Sequence, residues 1–179
     1  MRFVETGLPG AWVIEAEARG DERGFLARTY CAREFGQLGL CTEWVQCSTV
    51  YTVQQGTLRG LHFQRAPHAE VKLIRCTAGA VYDVIVDLRP ASPTFRRWFA
   101  TELTALNRRM IYVPEGFGHG MQTLVDDTEL FYMMSAFYEP AAAAGVRWDD
   151  PALGIVWPMA PTGARIIGER DVQWPSLQR

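Results

Sequence analysis

The order of apolar and polar residues divides most of the chain into short strand-like segments. Stretches rich in β-branched and aromatic residues recur about every ten residues, and glycine, proline or aspartate residues separate them. Many short strands with regularly spaced turns are typical of a β-sandwich or barrel, so we predict an all-β jelly roll, or double-stranded β-helix. The predicted strands are residues 42–53, 71–77, 80–88, 96–103, 109–113, 120–124 and 129–137.

Helical patterns are scarce. Residues 32–40 predict one short helix, interrupted by glycines, and the segment from Pro140 onward is irregular. Apolar strands at residues 3–4 and 12–14 need cover, and strand exchange in a homodimer is one solution. Since we find neither repeats nor a linker, we expect residues 1–179 to form one domain.

Composition narrows the class of protein. Hydrophobic residues make up 48% and charged residues 21%, and the formal net charge of −2 argues against nucleic acid as a partner. Apolar runs are too short for a membrane span and no leader pattern opens the chain, so we expect a cytoplasmic protein without a membrane partner. The four cysteines form no C-x-x-C pair and are expected to be reduced thiols.

The basic residues are almost all arginine. Lys72 is the only lysine among 18 basic residues. A lysine that persists against such a bias indicates a site that needs a compact, rotatable ammonium and not a planar guanidinium. Chance survival is the alternative interpretation.

A metal site is the first hypothesis for the histidines, because metal-binding jelly rolls commonly use His-x-His, a glutamate and a later histidine. Here His62 is followed by Gln64 where the second imidazole is expected, with Glu70 and His119 as the remaining candidates. An amide is a poor ligand beside imidazole for zinc, iron or nickel. We therefore expect no metal.

Without a metal, His62 becomes a candidate general base, because imidazole is suited to proton removal near neutral pH. Arg59 and His62 would face opposite sides of a regular strand, but Gly60 permits a bulge that turns both inward. A core histidine bonded to the backbone is the alternative.

Other candidate residues are less specific when taken singly. The glycine-rich segment 114–120 predicts a turn that places His119 at the mouth of the barrel, or a plain turn with an exposed histidine. Tyr132 lies mid-strand, where it can donate a proton or fill the core. Arg23 lies at a turn and suits a phosphate, or simply faces water. His68, in a polar loop, we interpret as non-functional.

The motifs taken together are specific. Arg59-Gly60-Leu61-His62-Phe63, Lys72, the P-x-G-F-x-H-G segment at 114–120, Tyr132 and Trp148-Asp149-Asp150-Pro151 occur in one order and spacing. From about residue 2 to about residue 175, the chain resembles the dTDP-4-dehydrorhamnose 3,5-epimerases, a branch of the cupins. The resemblance implies a jelly-roll homodimer without metal or cofactor, acting on a nucleotide-linked 4-keto-6-deoxyhexose.

The resemblance also implies residue roles. His62 matches the base that removes a proton beside the C4 ketone, and Asp171 the carboxylate that orients it. Lys72 matches the cation near the C4 oxygen, and Tyr132 the acid on the opposite face. Positions matched to substrate or nucleotide contacts are Arg23, Gln46, Arg59, His119 and Arg170.

Three departures from the family pattern lie among these contacts. The glutamate after the R-G-F turn is missing in 26–28, the Q-x-N-x-S run is altered at 46–51, and alanines 141–144 replace a carboxylate. Proton transfer is therefore better supported than the identity of the base or sugar, or whether C3, C5 or both are inverted. The alternatives are a 3,4-ketoisomerase, an epimerase of another 4-keto sugar, a metal-dependent cupin oxygenase and a non-catalytic binder.

Overall fold

The computed structural model describes residues 1–160 and 166–177, and most of its regular structure is β-strand. The strands are β1 (Arg2–Glu5), β2 (Trp12–Glu15), β3 (Ala18–Asp21), β4 (Gly24–Ala27), β5 (Gln46–Thr52), β6 (Leu58–Gln64), β7 (Lys72–Ala78), β8 (Ala80–Asp87), β9 (Trp98–Thr104), β10 (Arg109–Val113), β11 (Phe117–Thr123), β12 (Thr128–Met134) and β13 (Ala143–Gly145).

Two antiparallel sheets form the body of the fold. One has six strands in the order β1-β2-β10-β7-β12-β5, and the other has five in the order β13-β6-β11-β8-β9. Neighbours in each sheet are mostly distant in sequence, as in a jelly roll. β3 and β4 pair only with each other and form a separate hairpin. The predicted all-β jelly roll is confirmed.

The core lies between the sheets because alternate residues of each strand point inward. β8 supplies the fully buried Val81 and Ile85, which pack with Ile74 of β7, Leu103 of β9 and Leu130 of β12. β5 alternates between half-buried and exposed positions up to Tyr51 and ends at the buried Thr52. The local period-2 pattern therefore positions both the core and the inward-facing polar residues.

The N-terminal strands differ from the prediction. β2 pairs with β10, so Ile14 is fully buried and packs with Phe35 and Met110. β1 forms the sheet edge, with Val4 partly exposed. β2 is therefore covered within its own chain, β1 stays at the sheet edge, and strand exchange in a homodimer stays a prediction.

Strand and helix boundaries also shift. β10 has the predicted bounds, whereas β5 begins at Gln46 and β12 ends at Met134. β11 begins at Phe117, because pairing with β8 extends the ladder into the glycine-rich segment; β6 joins it from His119.

Two short helices are present in the described residues: α1 (Ala32–Gln37) and α2 (Glu169–Gln173). The first ends before the predicted boundary at residue 40. No helix among residues 1–160 and 166–177 has the length and apolar character needed to cross a membrane.

Candidate active site

A cavity of about 410 Å³ opens between the two sheets, a volume in the range of small-molecule sites. The six-stranded sheet contributes β5, β7 and β12, and the five-stranded sheet contributes β6 and β13. The lining residues are Gln46, Ser48, Val50, His62, Phe63, Gln64, Glu70, Lys72, Tyr132, Met134, Tyr138, Ala143, Ala144 and Arg170.

His62 and Asp171 form a hydrogen-bonded pair in the cavity wall. The Nε2 atom of His62 lies 2.5 Å from Oδ1 of Asp171, and Oδ2 accepts the backbone N–H of Gly60 at 3.2 Å. The side chain of His62 is 41% exposed and that of Asp171 only 10%. If Nε2 carries the proton donated to the carboxylate, Nδ1 is left as the basic nitrogen.

Burial works to raise the pKa of Asp171, but the hydrogen bond and charge of His62 and the Gly60 N–H outweigh it. The pKa of this carboxyl is therefore below its usual range. An ionised carboxylate fixes the imidazole and stabilises its protonated form, which a general base requires after it has removed a proton.

The predicted bulge at Gly60 is present, but of the two residues expected to turn inward only His62 lines the cavity. His119 of β11 pairs with His62 and Met121 pairs with Arg59, so two residues of β6 face a single residue of β11. A Cβ at residue 60 would lie 2.5 Å from the Cα of Gly120, so only glycine permits this close approach.

Asp171 reaches His62 because residues 166–177, here called the C-terminal strap, run beside β6. Ile167 forms a bridge with Leu58, and the ring of Trp174 lies 6.2 Å from that of His62. A Cβ on Gly145 would come within 2.4 Å of the Trp174 ring, so glycine is needed where the strap packs.

The W-D-D-P segment holds the strap in place. Arg147 donates from Nη1 to the carbonyl of Val172 at 2.9 Å and forms an ion pair with Asp149 at 2.7 Å. The Oδ2 of Asp150 accepts the N–H of Leu177 at 2.5 Å. The motif that identified the family thus secures the carboxylate partner of His62.

Lys72 and Tyr132 face His62 from the other sheet. They lie on the adjacent strands β7 and β12, where Lys72 pairs with Met134. Burial is the main cause that raises the pKa of Tyr132 above its ordinary value; Asp83 raises it further and Arg59 offsets part of the rise. The phenol therefore stays protonated and is suited to donate a proton.

His119 does not lie at the mouth of the barrel, and that prediction is wrong. It is 5% exposed within β11, and its Nε2 lies 2.9 Å from Oδ2 of the fully buried Asp83. Its ring contacts the Tyr132 ring edge-on, 5.9 Å between centroids. Because β11 starts earlier than predicted, this histidine lies inside the strand, where it is buried and is not among the residues that line the cavity.

Of the other four predicted substrate contacts, two line the cavity and two do not. Gln46 and Arg170 line the cavity; Gln46 accepts the N–H of Tyr138 at 3.2 Å, and Arg170 lies over the Trp174 ring. Arg59 is exposed and donates to Thr52 at 3.2 Å, outside the cavity lining. Arg23 is 84% exposed on the β3–β4 hairpin and pairs with Asp21, so within this chain it does not reach the cavity.

The sequence pattern did not identify every residue of the site. Asp83 could have been found, because a charged residue interrupts the apolar run of β8, whereas nothing in the sequence marked Trp174. Gln64 and Glu70 were considered only as metal ligands. Within the described part of the chain, no three His, Cys, Asp or Glu side chains form a group able to hold a metal ion.

Known proteins are similar to this chain in sequence and in fold. The sequence model of the dTDP-4-dehydrorhamnose 3,5-epimerase family matches residues 5–179. The enzyme of that name from Methanothermobacter thermautotrophicus is 41% identical over 99% of this chain and 95% of its own. The crystal structure of the Bacillus anthracis enzyme, with TDP and pyrophosphate bound, has a TM-score of 0.93 and 40% identity over 98% of this chain and 99% of that one.

A Legionella pneumophila 3,5-epimerase in complex with dTDP-4-keto-L-rhamnose has a TM-score of 0.90 and 32% identity, over 98% of this chain and 92% of that one. Fold and site together define an isomerase of the jelly-roll class, whose acid and base groups face each other across a cavity. The chain belongs to the dTDP-4-dehydrorhamnose 3,5-epimerase family.

Proposed function

We propose that this protein is a nucleotide-sugar epimerase that inverts C3, C5 or both in a dTDP-4-keto-6-deoxyhexose. The observation that carries the proposal is the His62–Asp171 pair on one wall of a cavity that has Lys72 and Tyr132 on the facing wall. Family membership and the ligand of the L. pneumophila relative support the substrate class.

The reaction begins with proton transfer from the carbon beside the ketone to His62. The C–H electron pair moves into the ring and the C4 oxygen gains negative charge as an enolate. Such a carbon is too weak an acid for imidazole unless that charge is stabilised as it forms. The ammonium of Lys72, whose side chain is only 12% exposed, supplies the opposite charge from a mostly buried position, where it is screened less than in water.

Inversion requires the new proton to arrive on the other face of the sugar. Tyr132 donates its phenolic proton to the same carbon, the enolate returns to the ketone, and His62 keeps the abstracted proton. Since the base and the acid stand on opposite sheets, the two transfers occur on opposite faces. The sequence of steps needs neither a metal nor a cofactor.

We further propose that residues 1–179 act as one catalytic domain within a homodimer in the cytoplasm. The β3–β4 hairpin supports the dimer, because Phe25 and Leu26 are 51% and 78% exposed on a hairpin that pairs with no other described strand. A partner chain would cover these side chains and bring Arg23 toward a cavity that it does not reach in its own chain. Light scattering of the purified protein tests the dimer.

The activity test is solvent exchange in D₂O with dTDP-4-keto-6-deoxyglucose, read at C3 and C5 separately by NMR and mass spectrometry. We expect deuterium at one or both carbons and an epimerised product. His62→Ala should slow exchange by about 10²- to 10⁴-fold, the range for general acid–base catalysis. The matched control is His68→Ala, because His68 is exposed in a loop.

Two outcomes would contradict the proposal. Exchange that survives His62→Ala would remove the histidine from the mechanism, and absence of exchange with every 4-keto-6-deoxyhexose nucleotide tried would remove the function. Migration of the carbonyl to C3 would identify a ketoisomerase instead.

A further inference from the structure

Glu70 is a buried carboxylate in the cavity wall with no role in the mechanism above. Its Oε1 lies 3.1 Å from Nζ of Lys72, and the two side chains are 10% and 12% exposed. Two charges removed from water to this extent are tolerated only where the geometry and additional hydrogen bonds compensate for lost hydration. The remaining polar contacts of the pair therefore matter.

Gln64 supplies one of these contacts. Its Nε2 donates to Oε2 of Glu70 at 3.2 Å and also contacts the carbonyls of His68 and Phe137. Its Oε1 accepts the N–H of Glu139 at 2.7 Å. Because Gln64 is 4% exposed and tied to the backbone at several points, it is a fixed anchor for the Glu70 carboxylate.

The Lys72 ammonium needs such an anchor. A lysine side chain loses rotamer entropy when it is held in one place. Stabilisation of a developing oxyanion depends on a donor that is already in position before the charge appears. Accepting one of the three ammonium hydrogens fixes the nitrogen and leaves two for the cavity.

We propose that Glu70 is a positioning residue that holds the Lys72 ammonium against the substrate ketone, with Gln64 as its anchor. The inference rests on the proposed function, since it assigns Glu70 an effect only through Lys72. Gln64 and Glu70, which resembled incomplete metal ligands in the sequence, thereby form a chain of hydrogen bonds that ends at the catalytic cation.

The first test compares Glu70→Ala with Glu70→Gln in the D₂O assay. Glu70→Ala should lower kcat by about tenfold or more, less than the 10²- to 10³-fold typical of losing an oxyanion donor outright. KM should stay within about threefold, because the contact matters most as charge develops. Glu70→Gln should lose less activity than Glu70→Ala, because its amide oxygen still accepts from Lys72, although its amide nitrogen cannot accept from Gln64. The control is Glu102→Ala, an exposed carboxylate on β9.

A double-mutant cycle separates positioning from general structural support. In a Lys72→Met background, adding Glu70→Ala should change the residual exchange rate by less than about twofold. Thermal melts of all variants establish that each is folded at the assay temperature. Additive losses in the cycle, or a Glu70→Gln variant as slow as Glu70→Ala, would overturn the inference. If the wild type exchanges deuterium and the Glu70 variants exchange it at the same rate, this inference alone fails. If the wild type does not exchange deuterium, the proposed function itself fails.

Discussion

The described part of the chain contains two His–Asp pairs, and their histidines face each other on the neighbouring strands β6 and β11. His62 and Asp171 are 109 residues apart in sequence and meet only because the C-terminal strap folds back over the barrel. His119 and Asp83 are 36 residues apart and lie on the neighbouring strands β11 and β8. The same two side-chain types are thus assembled in two different ways.

Access to the cavity distinguishes the pairs. The side chain of His62 is 41% exposed, whereas that of His119 is 6% exposed and Asp83 is fully buried. One oxygen of Asp83, Oδ1, has no hydrogen-bond partner within the described residues. The first pair can exchange a proton with a ligand, and the second is enclosed beside Tyr132, where the charge of Asp83 helps to raise the phenol pKa.

The comparison teaches that a His–Asp pair alone does not identify a base. Solvent and ligand access decide which imidazole can act, and burial decides which pair contributes mainly to stability.

Breaking the buried pair should have the largest effect on folding. We expect His119→Ala to lower the free energy of unfolding by about 3–5 kcal/mol, because it leaves the Asp83 carboxylate buried without its partner. Urea unfolding of the purified protein measures this change, with His62→Ala, at the more exposed pair, losing less. The double variant Asp83→Asn/His119→Gln should recover part of the loss, since it removes the buried charge. Equal losses for His119→Ala and His62→Ala would show that the pairs do not differ in this way.

Removing the charge of Asp171 from the more exposed pair should slow catalysis. A hydrogen bond to a charged group contributes about 1.5–3 kcal/mol, so Asp171→Asn should slow exchange by roughly 10- to 150-fold. The imidazolium formed on His62 loses its counter-charge, while the cavity keeps its shape. Initial rates of deuterium incorporation measure the effect. A rate within about twofold of the wild type would show that Asp171 does not assist the base.

Loosening the strap should have a smaller effect. Arg147→Ala removes the bond to the Val172 carbonyl, and a single hydrogen bond contributes about 0.5–1.5 kcal/mol, so exchange should fall by no more than about tenfold. Arg109→Ala is the matched control, because Arg109 pairs with Glu15 on the other sheet and does not contact the strap. The interpretation of the strap fails if both variants have equal rates.

The smallest expected difference is in how the free energy of unfolding depends on pH. The folded-state pKa of Asp171 lies below its ordinary value of 3.8, so ionised Asp171 contributes stability above about pH 4, and this contribution is lost as the pH falls through the folded-state pKa. The unfolding free energy of the wild type should therefore decline more steeply between about pH 5 and pH 3 than that of Asp171→Asn. Parallel pH profiles for the two proteins would contradict this linkage.

Local sequence patterns predicted much of the fold and some of the site. The period-2 alternation and the turn residues predicted the jelly roll and β10, and Gly60 predicted the bulge that positions His62. Lys72 was singled out as the only lysine, whereas the role of Tyr132 came from the family resemblance. These features depend on neighbouring residues, whose relative directions in a strand follow from backbone geometry.

What the sequence alone determined is therefore the strand pattern and the chemical types available, including a single lysine. Only the tertiary structure showed how distant groups meet: the strap brings Asp171, which the family resemblance had matched to His62, to that histidine, and sheet order places Asp83 beside His119. Glu70 and Lys72 are two residues apart, and the structure decided only that this local pair is buried in the cavity wall. The tertiary structure likewise places Arg23 away from the cavity of its own chain, although the resemblance matched it to a substrate or nucleotide contact. Contacts between distant segments depend on sheet order and packing, which local periodicity does not encode.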